Sequence, residues 1–253
     1  MKRLLAYLAV FLVALVSSLV AYLPASFLLQ YAPLPRGLEL QGTSGTIWQG
    51  QFASVKWQRQ QLGEVQWQFQ PSALVSGKVE YQVRFGRGSD YKLTGKGLVG
   101  LDLTGPYAQN VVASMPAKEV MRYAPRLPVP IDIDGQLEAM VKHLRLGSPW
   151  CSEGSGSLVW NASQVGTPLG ELAMGPVITD VTCQDNTLSA KGGQNNAQVS
   201  SEFSATLSPN MTYQAQGWFK PGAEFPQGLG GQLSWLGAPN NQGQYPMSYS
   251  GRL

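Results

Sequence analysis

The sequence predicts a mainly β protein, in which a single N-terminal transmembrane helix precedes an exported antiparallel β-sheet domain with few short helices. Three observations favour this fold class: an uncharged apolar stretch near the N-terminus, apolar and polar residues that alternate along most of the remaining chain, and 29 glycines and 17 prolines that divide the alternating segments. We expect the sheet to be either a curved sheet or a sandwich.

The apolar stretch runs from Leu4 to Leu23 and contains no charged residue. An α-helix of that length spans about 30 Å, which matches the hydrocarbon core of a bilayer. Lys2 and Arg3 precede it, and cations favour the cytoplasmic side. We therefore predict a cytoplasmic N-terminus (1–3), an uncleaved signal anchor (4–24) and export of the rest. The alternative is a removed signal peptide, whose apolar region is usually about 7–15 residues long.

The segment after the anchor, residues 25–37, contains two prolines and a glycine and is predicted to be a semi-rigid spacer. From residue 38 the dominant period is two, as where Val65, Trp67 and Phe69 alternate with glutamines. This period is typical of half-buried antiparallel strands, so we assign 38–253 to a β-rich domain. An alternative is a two-part organisation with a seam near 124–150, where the chain is rich in proline.

Two segments carry other signals. Ser114 to Tyr123 offers a serine cap, a proline in the first turn and helix-forming residues, which predicts one short helix. The stretch from Leu137 to Leu144 fits a helix or a strand, and its periodicity alone does not decide between them.

Composition excludes some functions. The formal net charge is +3 and no Lys/Arg block follows the N-terminus, which argues against nucleic-acid binding. The chain has two cysteines, Cys151 and Cys183. In an exported chain an even count predicts a disulfide, whereas in a reducing compartment they would be two core thiols.

Candidate chemistry is sparse. His143 is the sole histidine, and its alternation with apolar residues predicts a solvent-facing strand position. Asp132 and Asp134 would share one face of a strand, but no further ligands or acid–base partners accompany them. The Ser-rich segment 154–157 lacks the G-x-S-x-G pattern of a nucleophile elbow. We therefore predict no catalytic residues, no metal and no cofactor.

Seven tryptophans are spread along the predicted strands. They either fill the interior of the domain or line an open apolar groove. Such a groove could hold a lipid chain or a partner's strand.

The stretch GTSGTIWQG at residues 42–50, soon after a single N-terminal anchor, resembles the type II secretion system protein N family, also called general secretion pathway protein N. The matching motif residues are Gly42, Gly45, Thr46, Trp48 and Gly50. Chain length, anchor, β-rich remainder and the two late cysteines also fit, so the resemblance covers essentially the whole chain. The glycines would permit a tight turn that Trp48 could hold against the core.

The resemblance implies an accessory inner-membrane component that supports export of folded periplasmic proteins across the bacterial outer membrane. It implies a single-pass topology with the bulk of the chain in the periplasm, other type II secretion components as partners, and no catalytic residues. The alternative function is an envelope lipid-handling protein with a curved β-sheet groove.

Overall fold

The computed structural model describes residues 2–31, 34, 37–121 and 131–252. Thirteen strands within these residues form one antiparallel sheet that does not close. The strands are β1 Leu38–Gly45, β2 Gln49–Trp57, β3 Gln60–Phe69, β4 Val79–Arg87, β5 Thr94–Asp102, β6 Gly105–Pro116, β7 Asp132–Leu146, β8 Cys151–Thr167, β9 Gly170–Gln184, β10 Thr187–Asn195, β11 Val199–Leu207, β12 Thr212–Pro221 and β13 Tyr245–Arg252. The helices are α1 Lys2–Ala21, α2 Ala25–Leu29, α3 Ala117–Met121 and α4 Gln227–Gly230, with 3₁₀ turns at Pro71–Ser76 and Leu233–Leu236.

The strand order in the sheet is the order of the chain, so each strand pairs only with its predecessor and its successor. Short turns connect most neighbours, as antiparallel pairing permits. The mainly β prediction is therefore confirmed. The sandwich alternative is wrong, because all thirteen strands belong to a single sheet.

One row of directly opposed residues shows how the sequence separates the two faces. Opposed residues on antiparallel strands share a face, so the register identifies the members of a row. From β3 to β13 this row is Phe69, Tyr81, Val99, Ala108, Leu144, Gly154, Cys183, Leu188, Leu207, Tyr213 and Gly251. We call the face that carries it the apolar face.

The adjacent row lies on the opposite face, because neighbouring residues in a strand point to opposite sides. Its members are Gln68, Gln82, Leu98, Gln109, His143, Ser155, Thr182, Ser189, Thr206, Gln214 and Ser250. Apart from Leu98, all carry polar side chains, and we call this the polar face. The alternation read from the sequence is thus maintained across eleven strands.

Aromatic rings on several strands lie over glycines of the neighbouring strand. A Cβ atom on Gly50 would lie 2.5 Å from the Trp67 ring, and one on Gly192 would lie 2.7 Å from the Phe203 ring. Gly251 has the same relation to Tyr213. Rings that cover glycines compensate for the packing that a strand glycine lacks.

Burial is limited because a single sheet has no opposing layer. Among the described residues, eight apolar residues are buried: Ala25, Val55, Tyr107, Ala117, Cys151, Val177, Cys183 and Val199. No second sheet covers the apolar face in the described part of the chain. Of the two predicted arrangements of the aromatic residues, the structure therefore has the open one.

The short predicted helix is only partly right. Helix α3 covers Ala117–Met121, but Ser114 is no helix cap, because β6 continues to Pro116. Ser114 is paired with Thr94 on one side and Glu138 on the other, so two neighbouring strands occupy its backbone. The same argument settles Leu137–Leu144, which lies in β7 between β6 and β8.

The proline-rich part of the predicted seam, residues 124–130, lies outside the described residues, as do parts of the predicted spacer. Strands β6 and β7, on either side of residues 122–130, pair with each other directly. Residues 25–29 of the predicted spacer form α2.

The N-terminal helix α1 exposes most of its apolar side chains, including Val10, Phe11 and Leu19. In the described part of the chain, no helix combines the length and hydropathy required to cross a bilayer.

A disulfide joins Cys151 and Cys183, and no free cysteine remains. The two residues lie on β8 and β9, are 32 positions apart in the chain, and are both buried. The even cysteine count therefore predicted the pairing correctly.

Replacing both cysteines with serine should lower the free energy of unfolding by about 3–4 kcal/mol, because the unfolded chain regains the entropy of an open loop of this length. Guanidinium unfolding of the full chain, followed by tryptophan fluorescence, measures the change. Reductant should reproduce the loss in the wild-type chain and leave the double variant unaffected. Equal stability of the two oxidised proteins would contradict the prediction.

Candidate functional site

The N-terminal helices meet the sheet at the hairpin between β1 and β2. The Leu23 carbonyl accepts a hydrogen bond from the Ile47 N–H at 3.0 Å, and Pro24 forms an isolated bridge with Thr46. The Trp48 indole N–H donates to the Val20 carbonyl at 2.9 Å. The last carbonyls of a helix lack partners within it, so Trp48 satisfies one of them at the end of α1. We call this contact region the anchor junction.

The five motif residues predicted from the sequence lie together at this hairpin. Gly45 has a φ of +93°, a left-handed conformation, and a Cβ atom there would lie 2.6 Å from the Gly50 Cα. Gly42 has a φ of +66°, and its Cβ would lie 2.6 Å from the Ala53 Cβ. Glycine alone fits such positions without strain. The glycines of the motif therefore permit the close approach of β1 and β2.

Thr46 and Trp48 hold the turn in place. The Thr46 hydroxyl accepts hydrogen bonds from the backbone N–H groups of Trp48 and Gln49, both at 3.3 Å. The Thr46 carbonyl accepts a further bond from the Trp67 indole at 3.2 Å. The Trp48 ring packs edge-on against Phe69, with ring centroids 4.9 Å apart. Because Phe69 begins the apolar row, the motif connects the end of α1 to the apolar face.

An open apolar hollow of about 340 Å³ lies beside the anchor junction. Ala25 and Leu29 of α2 and Ile47 of the hairpin form one side of it. The apolar face forms the other side with Phe52, Val65, Trp67, Tyr81, Val83 and Val99. Burial raises the pKa of the Tyr81 phenol. The sequence does not predict this hollow, because residues 25–29 are expected to belong to a spacer. The apolar composition of these residues is the signal that indicates contact with the sheet.

A polar cluster on the opposite face connects β4 to β7. The Arg145 guanidinium donates to both carboxylate oxygens of Asp102, at 2.9 and 3.1 Å. Thr104 contacts both Asp102 and Arg145. The hydrogen bonds from Arg145 and Thr104 hold the pKa of the Asp102 carboxyl well below its usual range.

Tyr107, whose hydroxyl donates to Glu80 at 3.0 Å, belongs to the same cluster. Burial, together with the hydrogen bond to Glu80, raises the pKa of Tyr107 to about 12. The phenol therefore remains a neutral hydrogen-bond donor. The cluster thus crosslinks strands β4 to β7 through hydrogen bonds and one ion pair.

His143 lies on the polar face and contacts two residues of β8. Its Nδ1 is 3.1 Å from the Ser155 hydroxyl, and its Nε2 is 3.4 Å from Glu153. In a serine hydrolase a buried carboxylate orients the histidine. Here the Glu153 side chain is 69% exposed, so the arrangement lacks such an orienting group. Asp132 and Asp134 lie on β7, and no group of three or more metal-ligating side chains is found where the structure describes the chain.

Comparison with known proteins gives the same family as the motif at residues 42–50. The family model for type II secretion system (T2SS), protein N matches residues 36–248. The chain belongs to the type II secretion system protein N family. The resemblance inferred from residues 42–50 is therefore confirmed.

Full-length relatives carry the same family name. The chain is 50% identical over 253 residues to type II secretion system protein N of Vibrio cholerae, covering all of both chains. It is 35% identical to the Aeromonas hydrophila protein of that name, again over the full length of both. A Pectobacterium carotovorum relative is 25% identical over 93% of this chain and 92% of its own. No solved structure matches the chain. These names do not support the lipid-handling alternative.

Replacing Gly45 with alanine should destabilise the protein by about 1–3 kcal/mol. The alanine backbone would have to adopt a left-handed φ, and its Cβ would lie against the backbone of Gly50. Chemical unfolding of the full chain measures the loss. Gly230→Ala is the matched control, since a Cβ at Gly230 meets no atom within 4 Å. An equal effect of the two substitutions would show that the β1–β2 turn does not require glycine.

Acidification should weaken the protein partly through Asp102. Its pKa is lower in the folded than in the unfolded chain, so its stabilisation is present above the usual aspartate pKa of about 4 and is lost as the pH falls through the lower folded value. Asp102→Asn should therefore lower the Tm at neutral pH. The further fall in Tm on acidification should be smaller for this variant than for the wild type. Thermal unfolding between about pH 7 and pH 2 tests this, with Asp185→Asn in an exposed turn as the control. Parallel pH profiles for wild type and Asp102→Asn would contradict it.

Proposed function

We propose that this protein is an accessory component of the type II secretion machinery that acts as a non-catalytic scaffold. In this proposal it supports the export of folded periplasmic proteins across the bacterial outer membrane. The observation that carries the proposal is the full-length relation to proteins named type II secretion system protein N, including the 50% identical Vibrio protein.

The proposed location is the inner membrane, with residues 1–3 in the cytoplasm, residues 4–24 as a single-pass signal anchor and the sheet in the periplasm. The uncharged stretch from Leu4 to Leu23 supports this, as do the cations that precede it. Many side chains of α1 are apolar and exposed, for example Phe11 at 67% and Val13 at 64%, and a bilayer would bury them.

The anchor junction supports a scaffold function. Hydrogen bonds to Val20 and Leu23 place the β1–β2 hairpin directly against the end of α1. A sheet held at one membrane surface is kept at high effective concentration for neighbouring subunits in the same envelope. The disulfide between Cys151 and Cys183 suits the oxidising periplasm.

The test compares a deletion strain complemented by three forms of the gene. The first is wild type, the second replaces residues 1–24 with a cleavable signal peptide, and the third replaces residues 4–23 with another uncharged apolar helix of equal length. We expect the first and third to support secretion and to co-purify with secretion-system subunits from crosslinked membranes. The second should be periplasmic but soluble, with reduced secretion and co-purification.

Two results would overturn the proposal. One is normal secretion by the deletion strain together with no secretion-system subunit recovered with the wild-type protein. The other, which concerns the anchor, is a mature wild-type protein that lacks its first residues or fractionates with soluble proteins.

A further inference from the structure

The two edges of the sheet differ. At the β1 edge, helix α2 packs against β1. Pro24 bridges to the hairpin beside it, and Gly42 in β1 has a left-handed backbone that distorts the strand. Covering and distortion are two of the means by which proteins prevent an edge strand from pairing with another chain.

The β13 edge has neither protection. Strand β13 pairs only with β12, and no residue of Tyr245–Arg252, all of which are described, forms a backbone hydrogen bond on its other side. Every residue from Pro246 to Arg252 is exposed. The strand has no lysine and no acidic residue, and its register with β12 contains no shift.

The register shows which backbone groups face outward. The Thr212 carbonyl accepts a hydrogen bond from the Ser208 N–H at 2.9 Å, so even-numbered residues of β12 bond to β11. Odd-numbered residues of β12 consequently bond to β13, where their partners are also odd-numbered. Ser248, Ser250 and Arg252 therefore direct their N–H and C=O groups away from the sheet. Pro246, which has no N–H, occupies the same outward phase, as edge-strand prolines do.

The side chains of β13 specify the kind of segment that would fit. Tyr245, Met247 and Tyr249 extend the apolar face, opposite Phe219, Gly217 and Ala215 of β12. Met247 is 40% and Tyr249 is 68% exposed. Ser248 and Ser250 lie on the polar face. A strand added here would continue both faces only if its own apolar and polar residues alternated.

We propose that β13 binds an extended segment of another secretion-system component as a fourteenth strand of the sheet. The inference rests on the proposed function, and it names the surface and the kind of partner. The occupant is a polypeptide segment with apolar residues at alternate positions: its backbone pairs with the outward groups of β13, and its apolar side chains cover Met247 and Tyr249. Addition of the segment extends the apolar face by one strand.

The test uses the full chain in its native membrane with a photoreactive benzoylphenylalanine in place of Tyr249. Ser250→Pro removes an outward N–H but leaves the bonds between β13 and β12, and Ser250→Ala is its matched control, because it changes the same side chain and keeps the N–H. Met247→Lys is a second variant, which places a charge in the proposed contact without altering the backbone. Circular dichroism and the intact disulfide verify folding of each variant.

The expected result is crosslinking of position 249 to one contiguous segment of an identified secretion component. Ser250→Pro and Met247→Lys should each reduce this product by about tenfold, the effect of losing one or two hydrogen bonds or of burying an unpaired charge. Ser250→Ala should preserve it, and the same photoreactive residue at Glu39 on β1 should not form it.

Undiminished crosslinking in Ser250→Pro would overturn the inference. So would a product that contains only two copies of this chain, or only lipid. If secretion components co-purify but none crosslinks at position 249, the strand-addition inference fails while the proposed function stands. If no component co-purifies and the deletion strain also secretes normally, the proposed function fails as well.

Discussion

The structure depends on one constraint, the continuous register of an antiparallel sheet in which each strand pairs only with its chain neighbours. Because side chains alternate with period two, a slip of one residue in any strand would exchange its apolar and polar faces. The register keeps Tyr81, Leu144 and Leu207 in one row and Gln82, His143 and Thr206 in the next. A slipped register would place apolar side chains on the polar face, so the difference in hydrophobicity between the two faces stabilises the observed register.

A single open sheet has consequences for stability. Without an opposing layer, few side chains are fully buried, so the strands are held by their ladders, by rings that cover glycines, and by local crosslinks. The disulfide joins β8 to β9, and the Asp102–Arg145 ion pair joins β5 to β7. In such an architecture each strand stabilises mainly its neighbours, as in a repeat protein. The two edge strands, β1 and β13, therefore differ from the others because each has only one neighbouring strand.

The family motif is located at one of these ends. Its glycines bring β1 and β2 together, and Trp48 both caps the last turn of α1 and packs on Phe69. The motif thus joins the N-terminal helix to the first residue of the apolar row. The opposite end, β13, has free backbone groups and exposed apolar side chains. An N-terminal helix bound at one end and an unpaired edge at the other are the arrangement on which the proposed scaffold function rests.

The sequence by itself determined the strands, the alternation of faces, the cysteine pairing and the family, because period two, an even cysteine count and residues 42–50 are local signals. Only the tertiary structure decided between a single sheet and a two-sheet sandwich, since strand order depends on pairing between distant residues. It also placed Ser114 in β6, where hydrogen bonds from two neighbouring strands override a local helix signal. The hollow beside α2 and the contact of Trp48 with Val20 likewise arise from segments brought together only by folding.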